Sequence, residues 1–276
     1  MSDITRAETG LAARPRTTAD RPKHLLVGRV LFLAVFLALW QSAVATGLAD
    51  AAFVSTPVDV AQSLWSLFRT GEILPDLATT LLEIMCAFAL SVVLGVASAV
   101  VLDRHARFNQ LIAPFLTALN SMPRIALGPL FVLWFGIGIE SKIVLACSLG
   151  YFIMLLSTLG GFKTVDRDLL LMSRLFGASE LALFRYVRLP WAIPGVFAGL
   201  KLTLIYCSAG AVIGEMIAAK SGLGLLVQTL SGSFNIAGVM ALILVVAVMV
   251  MVLTSLIEWC ERGLLAWSKG STDVPT

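Results

Sequence analysis

Four charged residues sit inside or at the edges of long apolar stretches of this chain: Glu83, Arg124, Lys201 and Glu215. Holding a charge at the centre of an apolar helix costs about 2.5–3.5 kcal/mol on insertion scales, so such groups face an interior, a cavity or an opposite charge. Arg124 follows Ser121-Met122-Pro123 in a stretch broken by prolines. It either lines a path for anions, pairs with Glu83, or snorkels from a helix end. Glu215 and Lys201 fall near the ends of one apolar segment, where structural pairing or capping is expected. Ser121, Pro123 and Arg124 in the broken stretch, together with the charges Glu83 and Glu215, are the candidates for a translocation pathway.

Catalytic chemistry finds little to work with. An enzyme within the membrane would cluster His, Asp, Glu or Ser-Lys groups in a shared pocket. This chain has two histidines, His24 and His105, and no GxSxG or HExxH pattern. Cys86, Cys147, Cys207 and Cys260 lie in or beside apolar runs with no CxxC spacing, and read as small hydrophobes rather than ligands or disulfide partners. No metal site is expected. A phosphate-cradling P-loop needs Gly-x4-Gly-Lys-Ser/Thr. None of the six lysines follows a glycine, so the chain has no such loop.

The elements that must position these residues are dictated by composition. Of the 276 residues, 58% are apolar and 13% charged, with a mean hydropathy of +0.92. Soluble domains carry about 25% charged residues, so lipid must solvate most of this surface. The net charge is only +3, and the basic residues form no nucleic-acid stripe. A helix needs about 20 apolar residues to cross the hydrocarbon, and it satisfies its own backbone hydrogen bonds there. Six segments qualify or nearly do, at about 30–49, 82–102, 111–138, 143–162, 193–215 and 238–257. This predicts an all-α, six-helix membrane bundle over 29–265. Polar cytoplasmic tails are expected at 1–28, disordered, and at 266–276. Ala43-Val44-Ala45 resembles a cleavage site, but the run before it is longer than a signal-peptide core, so a signal anchor is expected.

Fifteen of the twenty Lys and Arg residues fall on one side if the N-terminus is inside; Arg69, Lys142 and Lys220 fall on the other. That asymmetry follows the positive-inside rule and predicts two cytoplasmic termini. Outside the membrane, residues 50–77 should hold a short amphipathic helix, capped by Thr56, started by Pro57 and carrying Asp59 in its first turn. Ser91, Gly95 and Ala99, and again Gly195 and Gly199, repeat small residues every four positions, which lets helices approach closely. That predicts a tight bundle or, on a weaker argument, a dimer interface. Pro114, Asn120, Pro123 and Pro129 mark residues 107–138 as a broken helix, tolerated where it is buried or lines a wet cavity. The polar loop 163–190 reads as two short helices joined at Gly177, Asp168 to Phe176 and Ser179 to Val187, ending before Leu189-Pro190. Their apolar stripes must rest on the bundle or enter a partner's groove.

That loop, with Gly177 and the closing Leu189-Pro190, resembles the coupling loop of permeases of binding-protein-dependent ABC importers, the nitrate/sulfonate/taurine group in particular. Pro57 to Asp59, Ser121-Met122-Pro123, the run Leu133 to Gly138, Gly214 to Ile217, and Ser221 to Gly224 resemble the group in the same order, across about residues 54–265. Two departures stand out. The Glu-Ala-Ala triplet of the family loop is here Leu171-Met172-Ser173, and Glu83 stands where many relatives carry a basic residue.

The resemblance implies a type I importer permease fold in a bacterial inner membrane. It implies that Leu171, Met172, Ser173, Leu175, Phe176, Gly177, Ala178, Ser179, Leu183, Phe184, Leu189 and Pro190 engage a separate ATPase. Two permease copies, forming a homodimer, would work with two ATP-binding subunits and a periplasmic solute-binding protein. ATP and Mg would be bound by the ATPase, and no cofactor by this chain. The implied solute is a small oxyanion such as nitrate, a sulfonate or taurine. A secondary transporter driven by an ion gradient would instead show paired internal repeats, and none is evident.

Overall fold

The computed structural model describes residues 21–48 and 50–264. The expected C-terminal tail, 266–276, and positions 1–20 of the N-terminal one lie outside the described residues. All regular structure in the described residues is helical.

The chain forms two compact units, Met1–Pro57 and Val58–Thr276. The first contains α1 (Arg21–Ala45) and the single turn α2 (Ala51–Val54). α1 is apolar on every side and Leu25–Ala45 is long enough to cross a membrane. Such an all-round apolar helix suits lipid rather than a half-buried surface site. Its helix begins at residue 21, so residues 21–28 are the start of a helix and not part of a polar tail. α1 stops at Ala45, because Gly47, at φ +76°, ends the helical run.

The second unit is built around α7 (Ile139–Lys163), flanked by α4 (Ile73–Arg104) and α10 (Leu189–Ile217). The repeated small residues are the cause of this arrangement. A Cβ built on Gly95 would lie 2.7 Å from Met154 Cβ, one on Gly195 would lie 2.9 Å from Gly161 Cα, and one on Gly199 would lie 2.6 Å from Ser157 Cβ. Both stripes thus face α7 of the same chain, which is the tight-bundle reading and leaves them unavailable for a dimer contact. In lipid, where no hydrophobic force drives one apolar helix onto another, such close backbone approach supplies the packing energy. α12 (Ile236–Leu264) completes the unit, with the short α11 (Leu223–Gly232) wedged against α10 and α12. The amphipathic helix expected outside the spans is α3 (Pro57–Thr70), with Asp59 in its first turn.

The third segment is broken. α5 (Ala106–Ser121) and a 3-10 turn with α6 (Gly128–Phe135) meet at 78°. Pro114 is carried inside α5; the break comes at Met122, held at φ −69°, ψ 139° by the proline after it. Gly138, in extended backbone, starts α7.

Between α7 and α10 lies the elbow: α8 (Arg167–Leu175), Gly177, then α9 (Glu180–Leu183). The second arm does not end before Leu189-Pro190. It passes through a π turn, Phe184–Arg188, straight into α10, so that Glu180–Ile217 is one continuous helix of 38 residues. The Leu189 amide donates to the Phe184 carbonyl five residues back, and this wider turn accommodates Pro190, which has no amide to offer.

Candidate functional site

Three places gather the candidate residues: the elbow, the break in the third span, and a polar cluster at the end of the bundle remote from the elbow.

At the elbow, Ser179 caps α9 by accepting from the Ala182 amide, and Asp166 caps α8 by accepting from Asp168. Gly177 takes φ +81°, a left-handed conformation that costs other residues about 1 kcal/mol, and so turns the chain between the two arms. The arms differ in what they do with their apolar stripes. Leu183 is fully buried and the Phe184 ring packs on Phe162, with centroids 5.8 Å apart. The first arm presents Leu171, Met172, Leu175 and Phe176 outward, the last two 80% and 90% exposed. Ser173 turns back and donates to the Leu169 carbonyl. The elbow is fastened to the bundle by the Arg188–Asp103 ion pair at 2.8 Å and by Arg104 stacked over the Phe184 ring at 4.7 Å.

At the break, Arg124 neither pairs with Glu83 nor hangs from a helix end. Its guanidinium lies 4.4 Å over the Phe152 ring and donates to the Ser148 carbonyl at 3.1 Å and the Asn120 carbonyl at 2.8 Å. Asn120 Oδ1 accepts a further bond. One side chain thus bridges the end of α5 to the middle of α7. Its Nε is buried without a protein partner. Ser121, whose hydroxyl donates back to Thr117, and Pro123 are exposed on the same bend.

The third place brings Glu83 and Glu215 together, both fully buried. Glu215 Oε1 accepts from the Thr80 hydroxyl and Oε2 from the Gly224 amide, each at 2.6 Å. Thr80 Oγ1 in turn accepts from the Leu223 amide at 2.9 Å, and Asp76 from the Gly222 amide at 2.6 Å. Three successive amides that open α11 are thereby satisfied by side chains of α4 and α10, as helix starts require. The glycines of Ser221-Gly222-Leu223-Gly224 make this fit possible. Gly222 has φ +124°, and a Cβ on it would strike the Glu215 carboxylate; one on Gly224 would strike the Val212 carbonyl. Both oxygens of Glu83 lack a donor, and its polar neighbours are Glu215 and Lys142.

Lys142 is the residue the sequence misplaced. Expected in an external loop, it is 3% exposed in the first turn of α7, its Nζ donating to the Ile137 and Gly138 carbonyls at 2.8 Å each. The only signal was its spacing, four residues after Gly138. Asp76 and Thr80 were also missed, since one polar residue per turn in an apolar run marks no site by itself. Lys201 pairs with Glu261 of α12 at 2.8 Å, the structural role expected for it. All four cysteines are free, Cys147 and Cys207 buried and Cys86 and Cys260 exposed.

Residues 91–265 match the family described as the binding-protein-dependent transport system inner membrane component. The chain is 29% identical to the riboflavin transport system permease protein RibX of Chloroflexus aurantiacus, over 87% of this chain and 90% of that one. It is 28% identical to the putative aliphatic sulfonates transport permease protein SsuC of Bacillus subtilis, over 92% and 94%. Among solved structures, an inward-facing conformation of the MetNI methionine ABC transporter shares the fold, with a TM-score of 0.62 at 19% identity, covering 70% of this chain and 95% of that one. An all-helical bundle with five or six membrane-length apolar helices and a match of this extent lead to one conclusion: the chain belongs to the family of binding-protein-dependent transport system inner membrane components, and is a multi-pass permease subunit of an ABC importer.

Proposed function

We propose that this permease conducts a small oxyanion, of the nitrate, sulfonate or taurine type, inward across a bacterial inner membrane, with both termini and the elbow in the cytoplasm. A periplasmic binding protein delivers the solute, and two copies of the chain form a homodimer. A separate ATPase, which holds the ATP and Mg, supplies the energy, so this subunit is itself non-catalytic.

The observation that carries the reading is the pair of side chains at the elbow tip, Leu175 at 80% and Phe176 at 90% exposure. Two adjacent large apolar groups beside a left-handed glycine, on a loop carrying five basic residues, gain energy only by entering a groove. Docked there, and tied to α4 through Arg188–Asp103, the elbow passes a rigid-body displacement of the ATPase into the spans. Arg124 supports the anionic solute: it is a half-buried cation on the broken span, with no carboxylate partner among the described residues. The relatives include a putative aliphatic sulfonates permease and a riboflavin permease alike, so the anionic solute rests on Arg124. Ser121 and Pro123 share that bend and belong to the same path, whereas Glu215 acts as a brace that holds the α11 turn, with Glu83 buried beside it.

The test is reconstitution of the complex with its ATPase in liposomes. Changing Leu175→Asp and Phe176→Asp should leave the permease inserted while ATPase co-purification and uptake are lost. Uptake by the permease alone, driven by an ion gradient with no ATPase present, would overturn the proposal.

A further inference from the structure

A cavity of about 600 Å³ opens where α4 and α5 meet the elbow, lined by Asp103, Arg104, His105, Arg174, Phe184 and Arg188 among others. Two of its cations are already neutralised: Arg188 by Asp103 at 2.8 Å and Arg174 by Glu180 at 2.9 Å. Arg104 is not. Among the described residues no carboxylate approaches its guanidinium, which rests on the face of Phe184. That ring is itself packed on Phe162, so the exposed guanidinium rests on a fixed surface at the edge of the cleft.

Ala106, the first residue of α5, is where that helix leaves the cleft. Beyond Ala106, the helix carries Phe108, Leu111 and Phe115, 45%, 65% and 63% exposed, and it buries no residue against the rest of the chain. A cation without a carboxylate partner at the start of a span, followed four residues on by an exposed apolar helix face, suits a two-part ligand with an anionic head and a hydrocarbon tail. On the cytoplasmic side such basic pockets between spans recognise anionic headgroups.

We propose that this cleft seats the phosphate head of an anionic phospholipid of the inner leaflet, with Arg104 as its charge partner and the α5 face against its acyl chain. The proposal rests on the cytoplasmic placement of the elbow given above. Its occupant lies beside Phe184 and Arg188, the two groups that fasten the elbow to the bundle, so bound lipid stiffens that attachment.

The experiment uses the full-length permease purified in detergent, with retained lipid counted by native mass spectrometry after titration with phosphatidylglycerol or phosphatidylcholine. One basic contact near a membrane surface corresponds to about a fivefold preference. Phosphatidylglycerol should therefore be retained about fivefold better. Arg104→Gln should abolish that preference, Arg104→Lys should keep most of it, and raising the salt should weaken it. Inorganic phosphate at millimolar concentration should leave the lipid in place. Equal retention of the two lipids, or an unchanged preference in Arg104→Gln, would overturn the proposal. Ready displacement by inorganic phosphate would make it a simple anion site. Loss of ATPase association in Arg104→Gln with lipid retention intact would assign the cleft to the partner protein instead. Lipid counting needs no transport, so it fails or succeeds separately from the importer reading. If Arg104→Gln does not fold, the lysine variant and the salt series still decide the matter.

Discussion

Removing the Glu215 side chain should separate a brace from a pathway residue. Glu215 accepts two hydrogen bonds at 2.6 Å, one from Thr80 and one from the Gly224 amide, in a fully buried setting. A buried donor left without its acceptor costs about 1–3 kcal/mol. Glu215→Ala orphans two donors, and the removed methylenes leave a void, so the change should cost about 3–5 kcal/mol. Glu215→Gln keeps the volume and one acceptor; its amide can serve the Gly224 N–H while its NH2 faces Thr80 Oγ1, and the cost should be about 1–2 kcal/mol. Thr80→Val removes the donor to Glu215 and also the acceptor of the Leu223 amide. Because the two residues share one contact, the double variant Thr80→Val/Glu215→Ala should be less destabilised than the sum of the singles by about 1 kcal/mol. Denaturation of the purified permease in mixed micelles reads all four proteins. A glutamate-to-alanine variant as stable as the parent, or fully additive effects with Thr80→Val, would refute the brace.

Three further outcomes follow from geometry already described. Arg124→Gln should lower uptake of an anionic solute by about tenfold per inserted molecule, as expected for losing one cation in a medium of intermediate dielectric, with Arg124→Lys in between because it keeps the charge but loses the fork and the stack. Uptake unchanged in the glutamine variant would remove Arg124 from the path. Gly195→Val should destabilise the bundle by about 1–3 kcal/mol or more, since its Cβ meets Gly161 backbone at 2.9 Å; a thermal melt no lower than the parent's would contradict the packing. Gly177→Ala, at φ +81° with open space around it, should cost only about 1 kcal/mol, and this should show as a small fall in melting temperature with no loss of insertion.

The sequence makes the spans legible because lipid imposes a length and an apolar composition that few other settings demand. It also marks the break at Pro123 and the turn at Gly177, where single residues force the backbone. The stripes of small residues were readable as close packing, though not as to which helix they meet, since spacing does not name a neighbour. Four things were hidden. The π turn that carries the chain past Pro190 depends on hydrogen bonds five residues apart, and a Leu-Pro pair reads locally as a stop. Lys142 looked like a loop residue because its burial comes from α4 and α10, distant in sequence. The brace around Glu215 joins positions 76, 80, 215 and 222–224, and only the folded bundle brings an α4 threonine to an α11 amide. The division of labour between the two arms at 163–190 was equally invisible: both carry stripes of the same kind, but Leu183 is buried while Phe176 is bare.

The unbroken run Glu180–Ile217 has a mechanical consequence. At 1.5 Å per residue, 38 helical residues make a rod about 57 Å long. One extremity belongs to the elbow and the other carries Glu215, whose carboxylate grips the glycine turn of α11. A displacement applied at the elbow therefore reaches the Glu215 end with no intervening loop to absorb it; the wide turn at Phe184–Arg188 and Pro194 inside α10 are its points of compliance. The two ends of the bundle are then geared to one shaft.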